Sequence, residues 1–262
     1  MRWAIGVEYD GAAFNGWQSQ AHAVGVQSVV EAALSAVANE PVKVYCAGRT
    51  DAGVHAVGQV AHFDTTRLRT ARAWTLGANS HLPAGVALRW AREAPPDFHA
   101  RFSAEARRYA YLILNRPTRA GLWQSRMAWE FRTLDVLRMQ QAAQILVGEH
   151  DYSSFRAAGC QAKHPRRTVH ELTVSRRADL IRIEVEANAF LQHMVRNIVG
   201  VLCEIGVGER PVEWVSEVLA ARDRRCGGVT APACGLYFLS ARYPASLGFP
   251  VYSPAQDQGL PW

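Results

Sequence analysis

The sequence predicts an α/β protein made of two ferredoxin-like halves, and two observations lead to this prediction. Patterns typical of strands and helices follow the order β-α-β-β-α-β over residues 3–91, which is the ferredoxin-like order. After Pro95-Pro96, the clearest boundary in the chain, the pattern partly repeats. We therefore predict two related α/β halves joined near residue 97.

The first half is predicted from alternation and from helix boundaries. Apolar residues alternate with polar or small ones from Trp3 to Tyr9, which indicates a half-buried strand. A loop rich in Gly and Asn follows at 10–16, and a second loop runs from 47 to 56. The other predicted elements are two helices at 27–38 and 71–80 and three strands at 42–46, 59–63 and 86–91.

The second half has fewer clear boundaries. Thr133 is a suitable N-cap and Gly148 a suitable C′ residue for a helix at 134–147. The remaining predicted elements are strands at 107–114, 168–174, 180–187 and 235–241, a helix at 190–205, and a short helix starting at Pro211. The predicted organisation is thus a subdomain at 1–97, a subdomain at 98–245 and a tail at 246–262.

Composition narrows the class of protein. With 262 residues, 49% hydrophobic and 20% charged, the chain resembles an ordinary folded domain. Its start has no apolar segment of a signal peptide, and no window resembles a membrane span, so we predict neither secretion nor membrane insertion. Five cysteines without a C-x-x-C pair favour reduced thiols and a cytoplasmic location.

Charge is concentrated in the middle of the chain. Residues 99–182 carry fifteen basic and seven acidic side chains. The net charge of this segment, fifteen minus seven or +8, exceeds the formal net charge of +6 of the whole protein. Arg outnumbers Lys by 27 to 2, and guanidinium groups bind phosphates and stack on bases. The pattern is compatible with nucleic-acid binding and equally with a solvated basic face.

The loop at 47–56 is the main candidate for chemistry. It presents Arg49, Asp51 and His55 between two predicted strands, with glycines at positions 48 and 53. Catalytic side chains collect on loops held by rigid strands. The alternative is an ordinary turn in which the Asp accepts a local hydrogen bond.

A longer stretch makes the pattern specific. The segment GRTDAGVHAVGQVAHFDT, residues 48–65, resembles the signature of the tRNA pseudouridine synthase A (TruA) family. Further matching segments appear in the family's order from about residue 5 to residue 244. They are Tyr9-Asp10-Gly11, Gly16-Trp17-Gln18, FHARFSAEARRYAYLI at 98–113, HDYSSFR at 150–156, HMVRNIVG at 193–200 and TAPACGLY at 230–237. One departure is Ala187-Asn188-Ala189-Phe190, where many relatives have glycines before the Phe.

This resemblance implies roles for individual residues. The nucleophile of the family is the Asp of GRTD, which is Asp51, and its Arg of MVRN is Arg196. Its active-site Tyr is the first of the R-Y-x-Y pair, Tyr109. We also assign substrate binding to four nearby residues, Arg49, Tyr111, Arg107 and Arg108.

The resemblance further implies a fold, a substrate and an assembly. The fold would be that of the pseudouridine synthases, with two subdomains sharing a continuous, mixed, largely antiparallel sheet and an active-site cleft between them. The substrates would be uridines 38, 39 and 40 of the tRNA anticodon stem-loop. A homodimer would bind the tRNA, and neither a metal nor another cofactor would be needed.

Physical chemistry is compatible with these roles. Pseudouridine has the same atoms as uridine, so the isomerisation needs no cofactor but does need a nucleophile that can leave again, and a carboxylate qualifies. A guanidinium such as that of Arg196 would keep Asp51 ionised in a closed pocket. The ring of Tyr109 could stack on an extruded base, although a strand aromatic is also an ordinary core residue.

Three other interpretations remain open. Asp51-x3-His55, His62-x-Asp64 and Cys160-x3-His164 each supply residue types that ligate metals, but none provides a full ligand set. A non-catalytic RNA-binding module would use the same basic surface, and it would tolerate loss of Asp51. The loop from 10 to 20 is a candidate RNA-guiding element.

Overall fold

The computed structural model describes residues 1–250, and these form two compact units. Unit 1 contains Met1–Ala106 together with the described residues from Tyr237 onward, and unit 2 contains Arg107–Leu236. The predicted tail at 246–262 lies mostly outside the described residues. Its first part belongs to unit 1, where Phe249 stacks on Trp90 with ring centroids 5.7 Å apart.

Unit 1 has the predicted β-α-β-β-α-β order. Its elements are β1 (Arg2–Tyr9), α1 (Val26–Ala38), β2 (Val44–Cys46), β3 (His55–Asp64), α2 (Ala71–Asn79) and β4 (Val86–Ala94). Strand β1 pairs antiparallel with both β3 and β4, and β2 pairs antiparallel with β3. The first-half prediction is therefore confirmed in element type and order.

The late strand β10 (Leu236–Arg242) also pairs within unit 1. It runs parallel to β3, with Tyr237 opposite His55 and Phe238 opposite Ala56. The sequence prediction placed this strand in the second subdomain. Its position could not be read from sequence because parallel pairing joins segments that are far apart along the chain.

The core of unit 1 includes both faces of β1. All of residues 3–7 are buried, so the prediction of a half-buried strand at this position is wrong. Trp74 of α2 is fully buried and lies against the rings of Trp3 and Phe63, with centroids 6.1 and 5.0 Å apart. The helices of unit 1 therefore cover the sheet that carries the loop between β2 and β3.

Unit 2 contains five strands and three helices. Its elements are β5 (Ala106–Asn115), β6 (Ala128–Glu130), α3 (Val136–Ile145), β7 (Gly148–Asp151), β8 (Arg166–Arg177), β9 (Leu180–Ala187), α4 (Met194–Gly206) and α5 (Trp214–Ala221). Strands β5, β9, β8 and β7 pair antiparallel in that order, while β6 pairs parallel with β5. The α/β class is thus confirmed, with each unit built on a largely antiparallel sheet.

Three helix starts differ from the prediction. The N-cap of α3 is Asp135 rather than Thr133, because the Asp135 carboxylate accepts hydrogen bonds from the Leu137 and Arg138 amides. Helix α4 starts at Met194 rather than at residue 190, because His193 adopts a left-handed conformation with φ 61°. Helix α5 starts at Trp214, after a turn in which the Trp214 amide donates to the Pro211 carbonyl.

Candidate active site

The Asp51 loop, residues 47–54 between β2 and β3, has a backbone fixed at both ends. The Ala47 amide donates to the Val60 carbonyl at 2.8 Å, and Gln59 Nε2 donates to the Gly48 carbonyl at 2.7 Å. The Val54 amide donates to the Asp51 carbonyl at 3.1 Å, which closes a tight turn. Asp51 is therefore the half-buried corner of a well-defined turn.

A second segment, the brace at residues 9–17, packs directly against this loop. Gly16 has φ +84°, and a Cβ at this position would lie 2.5 Å from the Thr50 carbonyl oxygen. The Trp17 amide donates to that same oxygen at 3.0 Å, and the Gly53 amide donates to the Phe14 carbonyl at 3.3 Å. Main-chain contacts on both sides of Asp51 thus hold the loop in place.

A side chain of the brace adds a buried hydrogen bond. The hydroxyl groups of Tyr9 and Thr50 form a hydrogen bond of 2.7 Å next to Asp51. Burial is the main cause that raises the pKa of Tyr9, so this phenol stays protonated at neutral pH. The sequence analysis gave the brace only a possible RNA-guiding role, and its spaced glycines were the signal for close backbone packing.

His55, at the start of β3, is engaged by the brace. Its Nδ1 accepts the Gly11 amide at 3.0 Å and lies 3.1 Å from Asp10 Oδ1. Its ring stacks on Tyr237 with centroids 4.7 Å apart, and only 3% of the residue is exposed. These contacts explain the histidine as an anchor of the loop rather than as a metal ligand.

Arg49 lies on the exposed side of the Asp51 loop. Burial raises the pKa of the nearby Cys46 thiol to about 12, and the guanidinium groups of Arg49 and Arg101 oppose that shift. The two arginines therefore both lie near the end of β2. Their positive charge therefore lies beside the Asp51 loop.

In unit 2, Tyr109 lies on β5 opposite Val185 of β9. Its ring makes an edge-to-face contact with Phe190, at 5.0 Å between centroids and 80° between planes. Residues 188–190 form the turn that supports this contact. Asn188 organises the turn, because its Oδ1 accepts the Thr168 and Ala189 amides.

Tyr111 lies two residues further along β5 and is fully buried. Its hydroxyl donates to the Pro232 carbonyl at 2.8 Å, and burial raises its pKa well above the usual value. A Cβ added at Gly235 would lie 2.7 Å from the Tyr111 ring. This packing favours the core role over substrate binding for Tyr111.

Arg196 lies on α4, on the side away from the buried apolar stripe. Met194, Ile198 and Val201 are buried, whereas Arg196 is half-buried. Its Nε donates to the Ala231 carbonyl at 2.7 Å, and the Ala231 amide donates back to the Arg196 carbonyl at 3.1 Å. The residue is therefore tied to the 230–237 segment by a reciprocal pair of hydrogen bonds.

Arg107 and Arg108 are adjacent on β5 but have different surroundings. Arg107 is largely buried and donates to the Asn188 carbonyl at 2.9 Å. Arg108 forms ion pairs of 2.6, 3.2 and 3.1 Å with three glutamates, Glu171, Glu184 and Glu186. This network favours a structural role for Arg108 over a phosphate-binding one.

The residues considered as metal ligands have other partners. His62 Nδ1 accepts the Ala100 amide at 3.1 Å, and Asp64 forms an ion pair of 2.7 Å with Arg2. Cys160 Sγ accepts the Gln192 amide at 3.4 Å. Among residues 1–250, no group of three or more His, Cys, Asp or Glu side chains is arranged to hold a metal ion. Within the same residues, no helix is long and apolar enough to cross a membrane.

Comparison with known proteins identifies the class. A family model described as "tRNA pseudouridine synthase" matches residues 5–103 and 142–244, a range that includes Asp51 and Arg196 but not Tyr109. The fold, the Asp51 loop and the match to the family model together define the protein as a pseudouridine synthase, which is an isomerase that acts on uridines in tRNA.

Curated relatives agree with this match. Three proteins named "tRNA pseudouridine synthase A" are each 54% identical to this chain. The relative from Hydrogenovibrio crunogenus aligns over 94% of both chains, that from Shewanella amazonensis over 97% of both, and that from Pseudomonas aeruginosa over 99% of this chain and 92% of its own. The chain belongs to the tRNA pseudouridine synthase family.

Proposed function

We propose that the protein converts uridines 38, 39 and 40 of the tRNA anticodon stem-loop to pseudouridine, with Asp51 as nucleophile and without a cofactor. The observation that carries the proposal is the braced Asp51 loop, in which main-chain contacts hold the backbone on both sides of one carboxylate. A nucleophile held in a fixed position lowers the entropic cost of reaching the transition state.

The atoms of the reaction balance without an added reagent. The bond between uracil N1 and ribose C1′ breaks, the uracil turns, and a bond forms between C5 and C1′. N1 gains a proton, and C5 loses one. The Asp51 carboxylate adds either to C6 of uracil or to C1′ of ribose and leaves again once the new bond has formed.

Other residues have supporting roles in the proposal. Tyr109 stacks on the extruded uracil, and Arg196 is the second catalytic residue of the proposal. Arg49 and Arg107 bind phosphates, for which a guanidinium fork is suited. Tyr111 and Arg108 act indirectly, by holding β5 in its sheet.

The proposal includes an assembly and a location. The excess of arginine in residues 99–182 supports binding of a polyanion as large as a tRNA. We expect a homodimer, which light scattering of the purified protein would measure directly. All five cysteines are free thiols, in keeping with a reducing cytoplasm.

The direct test is nucleotide mapping of pseudouridine after incubation with an unmodified tRNA transcript. The proposal predicts product at positions 38–40 in the absence of added metal or nucleotide. A transcript with cytidine at all three positions is the matched control and should give no product. Pseudouridine formed only at other positions would contradict the proposed specificity, and no product on any transcript would contradict the activity.

A further inference from the structure

A cluster of four rings lies on unit 1, and two of the rings are on the strands that flank the Asp51 loop. The ring cluster consists of Tyr45 on β2, His62 on β3, and His99 and Phe102 in the segment before β5. Tyr45 stacks on His62 at 5.2 Å, His62 contacts His99 at 4.5 Å, and His99 contacts Phe102 at 4.3 Å. The four rings therefore form one continuous aromatic surface.

The two ends of the ring cluster are exposed, although its base is buried. Tyr45 is 54% exposed and Phe102 is 74% exposed, whereas His62 is only 2% exposed. Burial of a large aromatic ring is favourable. Two rings that stay exposed at the ends of an ordered cluster therefore present surfaces to which a ligand can bind. The core of unit 1 does not require either of these end rings.

The imidazole rings are fixed and uncharged. His62 Nδ1 accepts the Ala100 amide at 3.1 Å, and His99 Nδ1 accepts the Arg101 amide at 3.1 Å. Burial lowers the pKa of His62 to about 4, and burial followed by the nearby Arg2 lowers the pKa of His99. Near neutral pH the ring cluster is thus a rigid neutral surface, which loses little entropy when a flat ligand stacks on it.

Positive charge lies next to these rings. The guanidinium of Arg101 lies 5.5 Å from the centre of the Phe102 ring. Both Arg101 and Arg49 act electrostatically on Cys46, the neighbour of Tyr45. Stacking faces flanked by guanidinium groups are the combination that binds single-stranded nucleic acid.

We propose that the ring cluster is a stacking site for an unpaired base of the tRNA substrate other than the base that reacts, with Arg101 and Arg49 binding adjacent phosphates. The proposal rests on the proposed function. Tyr45 is six residues from Asp51, a chain length of at most about 20 Å. A strand of RNA that places one nucleotide at Asp51 can therefore reach the ring cluster with another nucleotide a few positions away.

The test is steady-state kinetics on the unmodified tRNA transcript with variants of the exposed ring Phe102. Phe102→Ala and Phe102→Leu remove the aromatic face, and each should raise KM roughly fivefold or more while kcat changes by less than about twofold. Phe102→Tyr keeps the face and should keep KM within about twofold. Tyr45→Ala should behave as Phe102→Ala does. The matched control is Leu68→Ala, which truncates another exposed apolar side chain of unit 1.

Several outcomes would overturn the proposal. Wild-type KM in Phe102→Ala would show that the ring does not bind RNA. A raised KM in Phe102→Ala with wild-type KM in Phe102→Leu would indicate apolar contact instead of stacking. Loss of a dimer in light scattering, together with the raised KM, would assign the ring cluster to a second copy of the chain. Each of these leaves the proposed function standing, because wild-type product at positions 38–40 is measured in the same assay.

Discussion

The Asp51 loop of unit 1 and the Tyr109 and Arg196 sites of unit 2 are held in different ways. Main-chain hydrogen bonds and the close approach of Gly16 fix the loop. The ring of Tyr109 makes an edge-to-face contact with Phe190, and the side chain of Arg196 donates to the Ala231 carbonyl. A single carboxylate must be aimed at one atom, whereas a stacking ring tolerates small shifts across its face.

This difference predicts where the protein is sensitive. Substitutions that move the backbone near Asp51 should reduce kcat even when the new side chain is small. Substitutions in unit 2 should have graded effects that depend on whether the ring face or the charge is retained.

Gly16→Ala should lower kcat by about a hundredfold or more. The added methyl group would lie 2.5 Å from the Thr50 carbonyl oxygen, so the Asp51 loop must move. A displacement of about 1 Å in a catalytic group can reduce the rate by about a hundredfold. The measurement is single-turnover pseudouridine formation at saturating enzyme.

Gly85→Ala is the matched control for Gly16→Ala. Gly85 has nearly the same positive φ, +86°, but an added Cβ would meet only Asp10 Cβ at an ordinary 3.6 Å. Both variants should lose stability through backbone strain of about 1–3 kcal/mol, whereas only Gly16→Ala should lose kcat. Equal kcat values in the two variants would show that the brace does not hold Asp51 in its catalytic position.

Tyr109→Ala should lower kcat/KM by roughly fivefold or more, and Tyr109→Phe should stay within about threefold of wild type. The reason is that the phenyl ring keeps the stacking face, which is worth about 1–3 kcal/mol per base. Thermal melting of both variants separates this effect from loss of the Phe190 contact. Equal kinetics in the two variants would argue against a stacking role.

Arg108→Gln should reduce the free energy of unfolding by about 1–3 kcal/mol, because it removes one guanidinium from three neighbouring carboxylates, of which Glu184 keeps an ion pair with Arg182. The KM for tRNA should change by less than about twofold. Urea denaturation and steady-state kinetics measure the two effects separately. Unchanged stability with a raised KM would restore the phosphate-binding role that the sequence analysis assigned to this residue.

Glu40→Gln should have the smallest effect, confined to stability and dependent on pH. Hydrogen bonds from Thr65 and Thr66 lower the pKa of Glu40 from about 4.5 to about 2. The carboxylate therefore stabilises the fold fully above pH 4.5, and this contribution disappears as the pH falls through 2. Urea midpoints of wild type and variant should differ at pH 7 and converge near pH 2, with kcat unchanged at neutral pH. If the urea midpoints of wild type and variant differ equally at both pH values, the ionised form of Glu40 is not the form that stabilises the fold.

The strands and helices of the first half could be predicted because local periodicity decides them. Alternation from Trp3 to Tyr9 and the helical pattern at 27–38 correspond to β1 and α1 within a residue or two. The parallel pairing of Tyr237 with His55 could not be predicted, because no local signal links strands so distant in sequence. The late start of α4 was missed because a left-handed His193 has no composition cue.

The sequence predicted the central residue of the candidate site but not the contacts that hold it in place. Asp51 was singled out by its place in a strand-to-strand loop and by resemblance. The brace was not. Its spaced glycines indicate that close backbone packing is possible, but a sequence pattern does not show that Gly16 packs against Thr50. Likewise, the sequence does not distinguish Arg108 from the other arginines of the basic segment. Its ion pairs with Glu171, Glu184 and Glu186 form only in the fold.

The central claim is that the carboxylate of Asp51 is the nucleophile, and Asp51→Asn tests it most directly. The substitution keeps the size of the side chain, removes its charge and replaces one acceptor oxygen with an NH2 donor, and tRNA affinity should be retained. Under single-turnover conditions, pseudouridine formation at positions 38–40 should fall by about 10⁴-fold or more. A rate within about tenfold of wild type, with the same affinity for tRNA, would contradict the account.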